Sequence, residues 1–518
     1  GGEVEDSIIR IGLECPHGGL APGTRLAKGK HIVGDVVTSS NLVKHGGDLA
    51  RLFVQICACH APNLRRSDAR ARRGETLAGK RRHPPRNLGA VSADPTSPSR
   101  SDDDHGVTGQ LRVRTIPIPE VDDLLALLPS HDAVSWVREG EGLVGWGEAA
   151  RFEVDGAERF SRASRWWARM CSEASVDDSV MRPGSGPVVF ASFAFDSRPG
   201  SSVLVVPNVV VGMRDGKAWL TVMSTDGEPV DVDVTATPTP PTPGHVSSDV
   251  AGRQIGQWKA SVTEAIARIN AGELDKVVLA RDVVVTSERP LDPRHLLNRL
   301  SAAFPGCWAF CVDGLVGATP ELLVRREGDQ ITSRVLAGTV RSDEDSGEDG
   351  RLAQELLGSD KDQEEHSYAV TSVAAALSAH CADLVVPIRP SVLRLANVQH
   401  LATDVSGLLV DDTPVLALAA SLHPTAAVCG TPTERAFSLI RRIEQLDRGR
   451  YAGPVGWMDA HGDGEFGIAL RCGAIEKAAP NRIRLFAGCG IVAGSDPAAE
   501  VEESEAKLLA MRHALSSD

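Results

Sequence analysis

Two short stretches of the chain put carboxylates where a hard cation could use them. In one, Asp362 and Glu365 stand three residues apart; in the other, Glu500, Glu503 and Lys507 follow at spacings of three and four. On a helix those spacings bring the groups to one face. Magnesium takes carboxylate oxygens and keeps several of its waters, so carboxylates from two separate helices would suffice. Each stretch also carries its own helix-start signal. Gly358 closes one helix and Ser359 caps the next, with Asp362 as a short-armed capping-box partner. Asp496 supplies the other N-cap, with Pro497 at the first helical position. Taken alone, each acidic face is also what a solvated helix surface looks like.

The ten cysteines offer less. Cys57, Cys59 and His60 form one local cluster, Cys307 and Cys311 another, and neither has partners at zinc-site spacing. Without a secretion signal they read as reduced thiols.

The elements that must position these groups start at Leu111. Val134–Val137 and Leu143–Gly147 read as strands joined by a tight Glu/Gly turn, 156–176 as a helix, and Val188–Ala194 and Ser202–Val211 as strands. Asp226-Gly227 predicts a hairpin between Ala218–Met223 and Val230–Val234. Ala236–Gly244, rich in Pro and Thr, reads as an extended exposed linker. It divides a catalytic unit, residues 106–518, into halves 106–244 and 245–518. The second half opens with a helix, Ser261–Ala271, closed by Gly272, and then an apolar strand led by Lys276. Helices and strands then mix without strict alternation, which predicts an α+β fold.

Length and composition agree with a globular protein: 518 residues, 42% hydrophobic and 24% charged. No run of eighteen apolar residues occurs, and no secretory signal is visible, so a cytoplasmic location is expected. Residues 1–100 carry 16 Lys+Arg against 9 Asp+Glu, and the remainder carries 39 against 60. An acidic body argues against a surface that tracks phosphates, and it obliges an anionic substrate to find locally placed cations. Residues 1–105 differ from the rest, with arginine runs at 65–66, 70–73 and 80–82 and a polar Ser/Asp/Pro tract; Leu49–Cys57 alone suggests a short element. The chain begins at Gly1 and its first methionine is Met170, so 1–105 is expected to be a disordered or wrongly annotated extension.

A series of motifs runs in order along the chain: Lys276-Val-Val-Leu-Ala-Arg281, Gly317-Ala-Thr-Pro-Glu321, Leu336-Ala-Gly-Thr339, Glu365-His366, Val398-Gln-His400, Pro424-Thr-Ala-Ala-Val428, Leu470-Arg471, Ala487-Gly-Cys-Gly-Ile491 and Ser495-Asp-Pro497. The series strongly resembles the chorismate-utilising enzymes, the family of isochorismate, salicylate, anthranilate and aminodeoxychorismate synthases. The resemblance covers roughly residues 111–518. It implies two stacked, mainly antiparallel sheets flanked by helices, with the site in a cleft of the C-terminal half. It also implies Mg2+ held by Glu365 and Glu503, with Asp362 and Glu500 behind them or acting through water, and chorismate carboxylates held by Arg471, Lys507 and the amides around Gly488 and Gly490. Gly338 and Thr339 would line the pocket and His400 would face the ring. Lys276 is the implied base and Glu321 the implied acid.

Within the family, ammonia-using members commonly have glutamine where Lys276 stands, so the lysine points to water as nucleophile. Ala427-Val428, in place of the Thr-Ala that salicylate synthases tend to have, points to an enzyme that stops at isochorismate. Salicylate synthase and anthranilate or aminodeoxychorismate synthase component I are the alternatives inside the family, and a chorismate-binding pseudoenzyme is the alternative outside catalysis. No obligatory protein partner, membrane or nucleic acid is expected. Ala, Arg, Gly and Val usage suggests a GC-rich genome, in which menaquinone rather than a siderophore is the expected destination.

Overall fold

The computed structural model describes residues 8–12 and 109–516, apart from 199, 250, 251 and 344. The chain divides into two units, one of residues 15–99 and the other of 1–14 with 100–518. The Leu49–Cys57 element, the arginine runs and the Cys57/Cys59/His60 cluster lie outside the described residues.

Among the described residues, strands form two sheets of 11 and 13, antiparallel throughout except where Arg112–Ile118 runs parallel to Ser175–Asp178. Both sheets draw strands from both halves of the chain. Ala133–Arg138 pairs with Trp308–Val312 in the larger sheet, and Val188–Ser192 pairs with Pro454–Asp459 in the smaller. One apolar core lies between them, where Trp136, Val277 and Phe310 of the larger sheet meet Phe190, Val324 and Phe466 of the smaller. Within that core Glu465 is buried, and it is fully answered. Its Oε2 accepts from the indole N–H of Trp136 at 2.9 Å and of Trp308 at 3.0 Å, while Arg214 and Arg325 stand 3.0 and 3.1 Å from Oε1. A buried carboxylate is tolerable only with such partners. A second core lies under the Pro293–Ala303 and Pro497–Leu515 helices, on strand residues Val283, Ile483 and Leu485. No helix among the described residues is long and apolar enough to cross a membrane.

The local predictions fared unevenly. Ser359 caps the Asp360–Leu377 helix by accepting from Asp362 N–H, but the reciprocal arm of the capping box is absent, because the Asp362 carboxylate instead takes the Ser359 hydroxyl. Asp496 caps the Pro497–Leu515 helix as expected, accepting from Ala498 and Ala499 N–H at 2.9 Å each. The 156–176 helix runs Arg159–Glu173, and the Ser261–Ala271 helix begins earlier and spans Gly252–Asn270, with Gly272 left-handed at φ +74°.

Two strand predictions fail for topological reasons. Ser202–Val211 is two strands, Ser202–Val206 in the smaller sheet and Val209–Arg214 in the larger, and the chain crosses between sheets at Pro207-Asn208. Val230–Val234 forms no strand, because Lys217–Ser224 already has a neighbour on each edge. Acidic residues in and just before the segment tie down sideways instead, Glu228 to Arg112 and Asp231 to Arg114. The Pro/Thr segment is largely exposed but not free: Thr237 bonds to Ala126 and Leu128 carbonyls, and Pro243 is buried.

Candidate active site

Four elements converge at one end of the sheets. The Lys276–Ser287 strand pairs along its length with Ala479–Ile491, bringing Val278 opposite Gly490. The Asp360–Leu377 helix packs on the Gln330–Arg341 strand, and the Pro497–Leu515 helix packs on Ala479–Ile491. Between them lies a cavity of about 60 Å³. Its walls include Glu321, Gly338, Thr339, Glu365, His400, Ala427, Val428, Arg471, Gly488, Gly490 and Lys507. A larger hollow of about 440 Å³ lies beside Trp258 and Arg442. Its other charges pair among themselves or with neighbours, Glu444 with Arg448, Arg281 with Glu505 and Asp282 with Arg484, so no free acid and base meet there.

Lys276 is wholly buried, behind the cavity wall rather than on it, and its Nζ lies 3.1 Å from Glu365 Oε1. The pair is at ion-pair distance, but its alignment is not that of a hydrogen bond. Burial alone would raise the Glu365 carboxyl; Lys276, Lys507 and Lys361 outweigh it and hold the group below the usual range. Glu321 is the opposite case. It is 4% exposed in the Pro320-Glu321 corner between two strands, and desolvation pushes it up to about 8 in spite of Lys276, Arg471 and Lys507 nearby. Glu321 therefore holds a proton at neutral pH, while Glu365 is ionised.

The backbone makes room for this arrangement at two glycines. A Cβ on Gly490 would lie 2.1 Å from Glu365 Oε1 and 2.9 Å from Lys276 Cε, so any side chain there would have to displace both groups. Gly338 sits at φ +73° in a register shift of the Gln330–Arg341 strand, and a Cβ there would lie 3.0 Å from Asp362 Cβ. Such a bulge re-aims the strand. Its carbonyl faces His400 Nδ1 at 3.2 Å, and Thr339 Oγ1 lies 3.1 Å from the same nitrogen.

His400 Nε2 lies 2.9 Å from Arg471 Nη2. An arginine can only donate, so Nε2 accepts and the ring proton sits on Nδ1, facing the Gly338 carbonyl. Burial, then the Arg471 charge, lower the His400 pKa well below its usual value and keep the ring neutral. Arg471 itself is a non-glycine residue at φ +48°, an unfavourable conformation that concentrates at working sites. Its Nε is buried without a partner, leaving donor capacity for an anion.

The C-terminal helix supplies the rest. Lys507 Nζ lies 2.5 Å from Glu503 Oε1 and 3.0 Å from the Gly488 carbonyl; burial would lower its pKa, and Glu503 raises it instead. Glu500 is 1% exposed, with Oε1 3.1 Å from Lys361 Nζ and Oε2 without a hydrogen-bond partner. Burial, then Glu503, raise its pKa. Asp362 is likewise raised, by burial and by Glu365. Crowded carboxylates, one with an orphaned oxygen, form an oxygen donor set that fits a hard divalent ion. Asp362, Glu500, Glu503 and Lys276 stand around the cavity rather than on its wall.

Sequence reasoning missed three neighbours. Tyr451 lines the cavity, buried and stacked on Phe486 with ring centroids 5.0 Å apart. Arg448 is held by Glu444 at 2.6 Å and donates to the Val428 and Val278 carbonyls, fixing one wall. Lys361 balances Glu500; its place one residue before Asp362 was the only available signal.

Comparison with known proteins gives the same family that the motifs resemble. Residues 109–516 match the family described as chorismate binding enzyme. The chain is 34% identical over 415 residues, 74% of this chain and 84% of the other, to the salicylate biosynthesis isochorismate synthase of Pseudomonas aeruginosa. It is 42% identical over 273 residues, 50% of this chain and 68% of the other, to the isochorismate synthase DhbC of Bacillus subtilis. Among solved structures, the menaquinone-specific isochorismate synthase MenF of Escherichia coli superposes with a TM-score of 0.65 at 28% identity, over 79% of this chain and 95% of that one. Anthranilate synthase component I of Streptococcus pneumoniae, at 19% identity and a TM-score of 0.56 over 72% of this chain and 92% of that one, shares the fold.

Proposed function

Because the chain belongs to the chorismate-binding enzymes, we propose that it is an isochorismate synthase, adding water at C2 of chorismate and expelling the C4 hydroxyl. The observation that carries this reading is the presence of a protonated carboxyl, Glu321, on the wall of one small cavity and of a buried lysine, Lys276, just behind it. Lys276, once it has given up the ammonium proton that its contact with Glu365 favours, takes a proton from the attacking water, the ring double bond shifts, Glu321 delivers its proton to the leaving hydroxyl, and return of the proton from Lys276 to Glu321 resets the pair. Atoms balance: one water enters, one leaves, and substrate and product are isomers. The lysine and the desolvated acid are the two groups that such a displacement needs.

Arg471 and Lys507 would receive the two carboxylates of the substrate; guanidinium forks suit carboxylates, and the neutral His400 keeps this one aimed. Glu365 and Glu503, with Glu500 and Asp362 beside them, would hold Mg2+, which supplies charge neutralisation at the ring carboxylate. Val428 is buried at the cavity wall, its carbonyl pinned by Arg448, so an enolpyruvyl group that lay against it would meet a rigid wall. That supports a reaction that ends at isochorismate.

The test is a product assay on the full chain with chorismate, with and without Mg2+ and ammonium, read by chromatography and mass. Isochorismate formed only with Mg2+ is the expected result. Salicylate with pyruvate as the main early product, or an aminated product appearing only with ammonium, overturns the reading.

A further inference from the structure

One member of the carboxylate cluster is not an oxygen donor. The Ala479–Ile491 strand alternates its faces, so Gly488 and Gly490 serve the cavity while Cys489, between them, turns toward the C-terminal helix. Its Sγ and carboxylate oxygens of Glu500 and Glu503 all lie within 4.8 Å of one another, and no other group of three such ligands occurs among the described residues. The thiol donates to the Glu500 carbonyl over 3.3 Å. Glu500 is 1% exposed, and its Oε2 has no hydrogen-bond partner. Lys361 answers the other oxygen of this carboxylate, so it is the Oε2 lone pairs beside the thiol that remain open to a second cation.

We infer that Cys489, Glu500 and Glu503 form a thiophilic cation position that overlaps the proposed magnesium carboxylates, so that Zn2+ or Cd2+ blocks the site. This rests on the reading of Glu503 as a magnesium ligand. Magnesium demands hard oxygens and does not take thiolate, whereas zinc and cadmium do. With Zn–S near 2.3 Å and Zn–O near 2.1 Å, tetrahedral ligands stand roughly 3.6 Å apart, so the three atoms need draw in by only about 1 Å. On binding, one S–H bond breaks and one S–metal bond forms; the proton leaves to solvent, and no electrons are transferred. The metal also competes with Lys361 and Lys507, which hold Glu500 and Glu503 in its absence. Zinc stands above magnesium in affinity for any such set, and sulfur widens the gap. The enzyme is thus open to inhibition by a trace metal that its oxygen ligands alone would resist better.

The experiment titrates Cd2+ into the metal-free full chain and into Cys489→Ser, following the ultraviolet thiolate-to-metal charge-transfer band as a difference, so that the other cysteines cancel. One equivalent of band present in the wild type, missing from Cys489→Ser and erased by excess Mg2+ is expected. Zn2+ should half-inhibit Mg2+-supported turnover at a concentration at least about tenfold lower in wild type than in Cys489→Ser. Glu500→Gln should weaken the band as well, giving a second variant should Cys489→Ser fold poorly. An equal band in Cys489→Ser, or no band, overturns the inference. A band that excess Mg2+ leaves intact does so too when turnover depends on Mg2+. The band without any Mg2+-dependent turnover leaves the thiol position standing and rejects the isochorismate synthase reading.

Discussion

Lys276 Nζ and Glu365 Oε1 stand 3.1 Å apart, the lysine with no exposed surface and the glutamate with 14% of its side chain exposed. One residue is the proposed base and the other a proposed magnesium ligand, so proton acceptance and cation binding share a single contact. Replacing the lysine tests which part matters. Lys276→Ala is expected to lower kcat by about 10²–10⁴-fold. Lys276→Arg keeps the charge beside Glu365 but cannot give up a proton, and should be as inactive. Near-normal turnover by Lys276→Arg, in a steady-state assay of isochorismate, would show that only the charge is needed.

Glu321 gives a pH signature. Its carboxyl is ordinarily near 4.5 and is pushed up to about 8 by desolvation. As an acid it works protonated, so kcat/KM should fall as pH rises through about 8, and Glu321→Gln should abolish turnover. Stability falls in the same direction, over a lower range of pH. A folded-state value above the unfolded one costs nothing below 4.5, and the cost grows until pH passes about 8. Glu321→Gln should therefore leave the melting temperature unchanged near pH 4 and raise stability near pH 8, by up to about 4 kcal/mol. An unchanged melting temperature at both pH values would show that the carboxyl is not desolvated.

Gly490→Ala places a methyl 2.1 Å from Glu365 Oε1. The nearest atoms belong to the acidic ligand and the base rather than to backbone, so the clash falls on chemistry first. Activity should drop at least about 100-fold, with a loss of stability of about 1–3 kcal/mol. Thermal melting beside a turnover assay separates the two; full activity would mean that the Lys276–Glu365 contact is dispensable.

Arg471→Lys removes the planar fork and the bond to His400 Nε2. A loss of about 10- to 100-fold in kcat/KM is expected, carried mainly by KM, because one charged hydrogen bond is worth about 1.5–3 kcal/mol. A change confined to kcat would move Arg471 from holding substrate to stabilising the reacting ring.

Chelation with EDTA should abolish turnover, and added Mg2+ should restore it. Glu503→Gln should raise the Mg2+ concentration for half-maximal rate and leave Lys507 facing a neutral amide in place of its carboxylate partner. Isothermal titration with Mg2+ checks the affinity apart from catalysis; unaltered affinity would remove Glu503 from the metal site.

What the sequence disclosed, and what it hid, divides along distance. Lys276, Glu321, Glu365, Arg471 and the glycines at 488 and 490 sit in short motifs, each of which fixes its own local backbone. The helix starts at Ser359 and Asp496 were legible because a cap acts over three residues. The valines at 230, 232 and 234 alternate as a strand should, yet the only neighbouring sheet edge was already taken. Tyr451 joins the site only through pairings between distant segments, while Lys361 beside Asp362 and Cys489 between Gly488 and Gly490 stood next to motif residues without any spacing to announce what their side chains would meet. The left-handed backbone at Arg471 was equally invisible.

The interleaving of the two halves also governs how the chain comes off the ribosome. Ala133–Arg138 needs Trp308–Val312, and Val188–Ser192 needs Pro454–Asp459. The first of these pairings waits until residue 312 has been made, and the second until residue 459 of 518. Until then, apolar strand edges stay open to wrong partners, the hazard of late-closing β topologies. A cut within 236–244 therefore leaves two pieces that fold only together, and nascent chains of this enzyme should lean on chaperones in proportion to how long synthesis lasts.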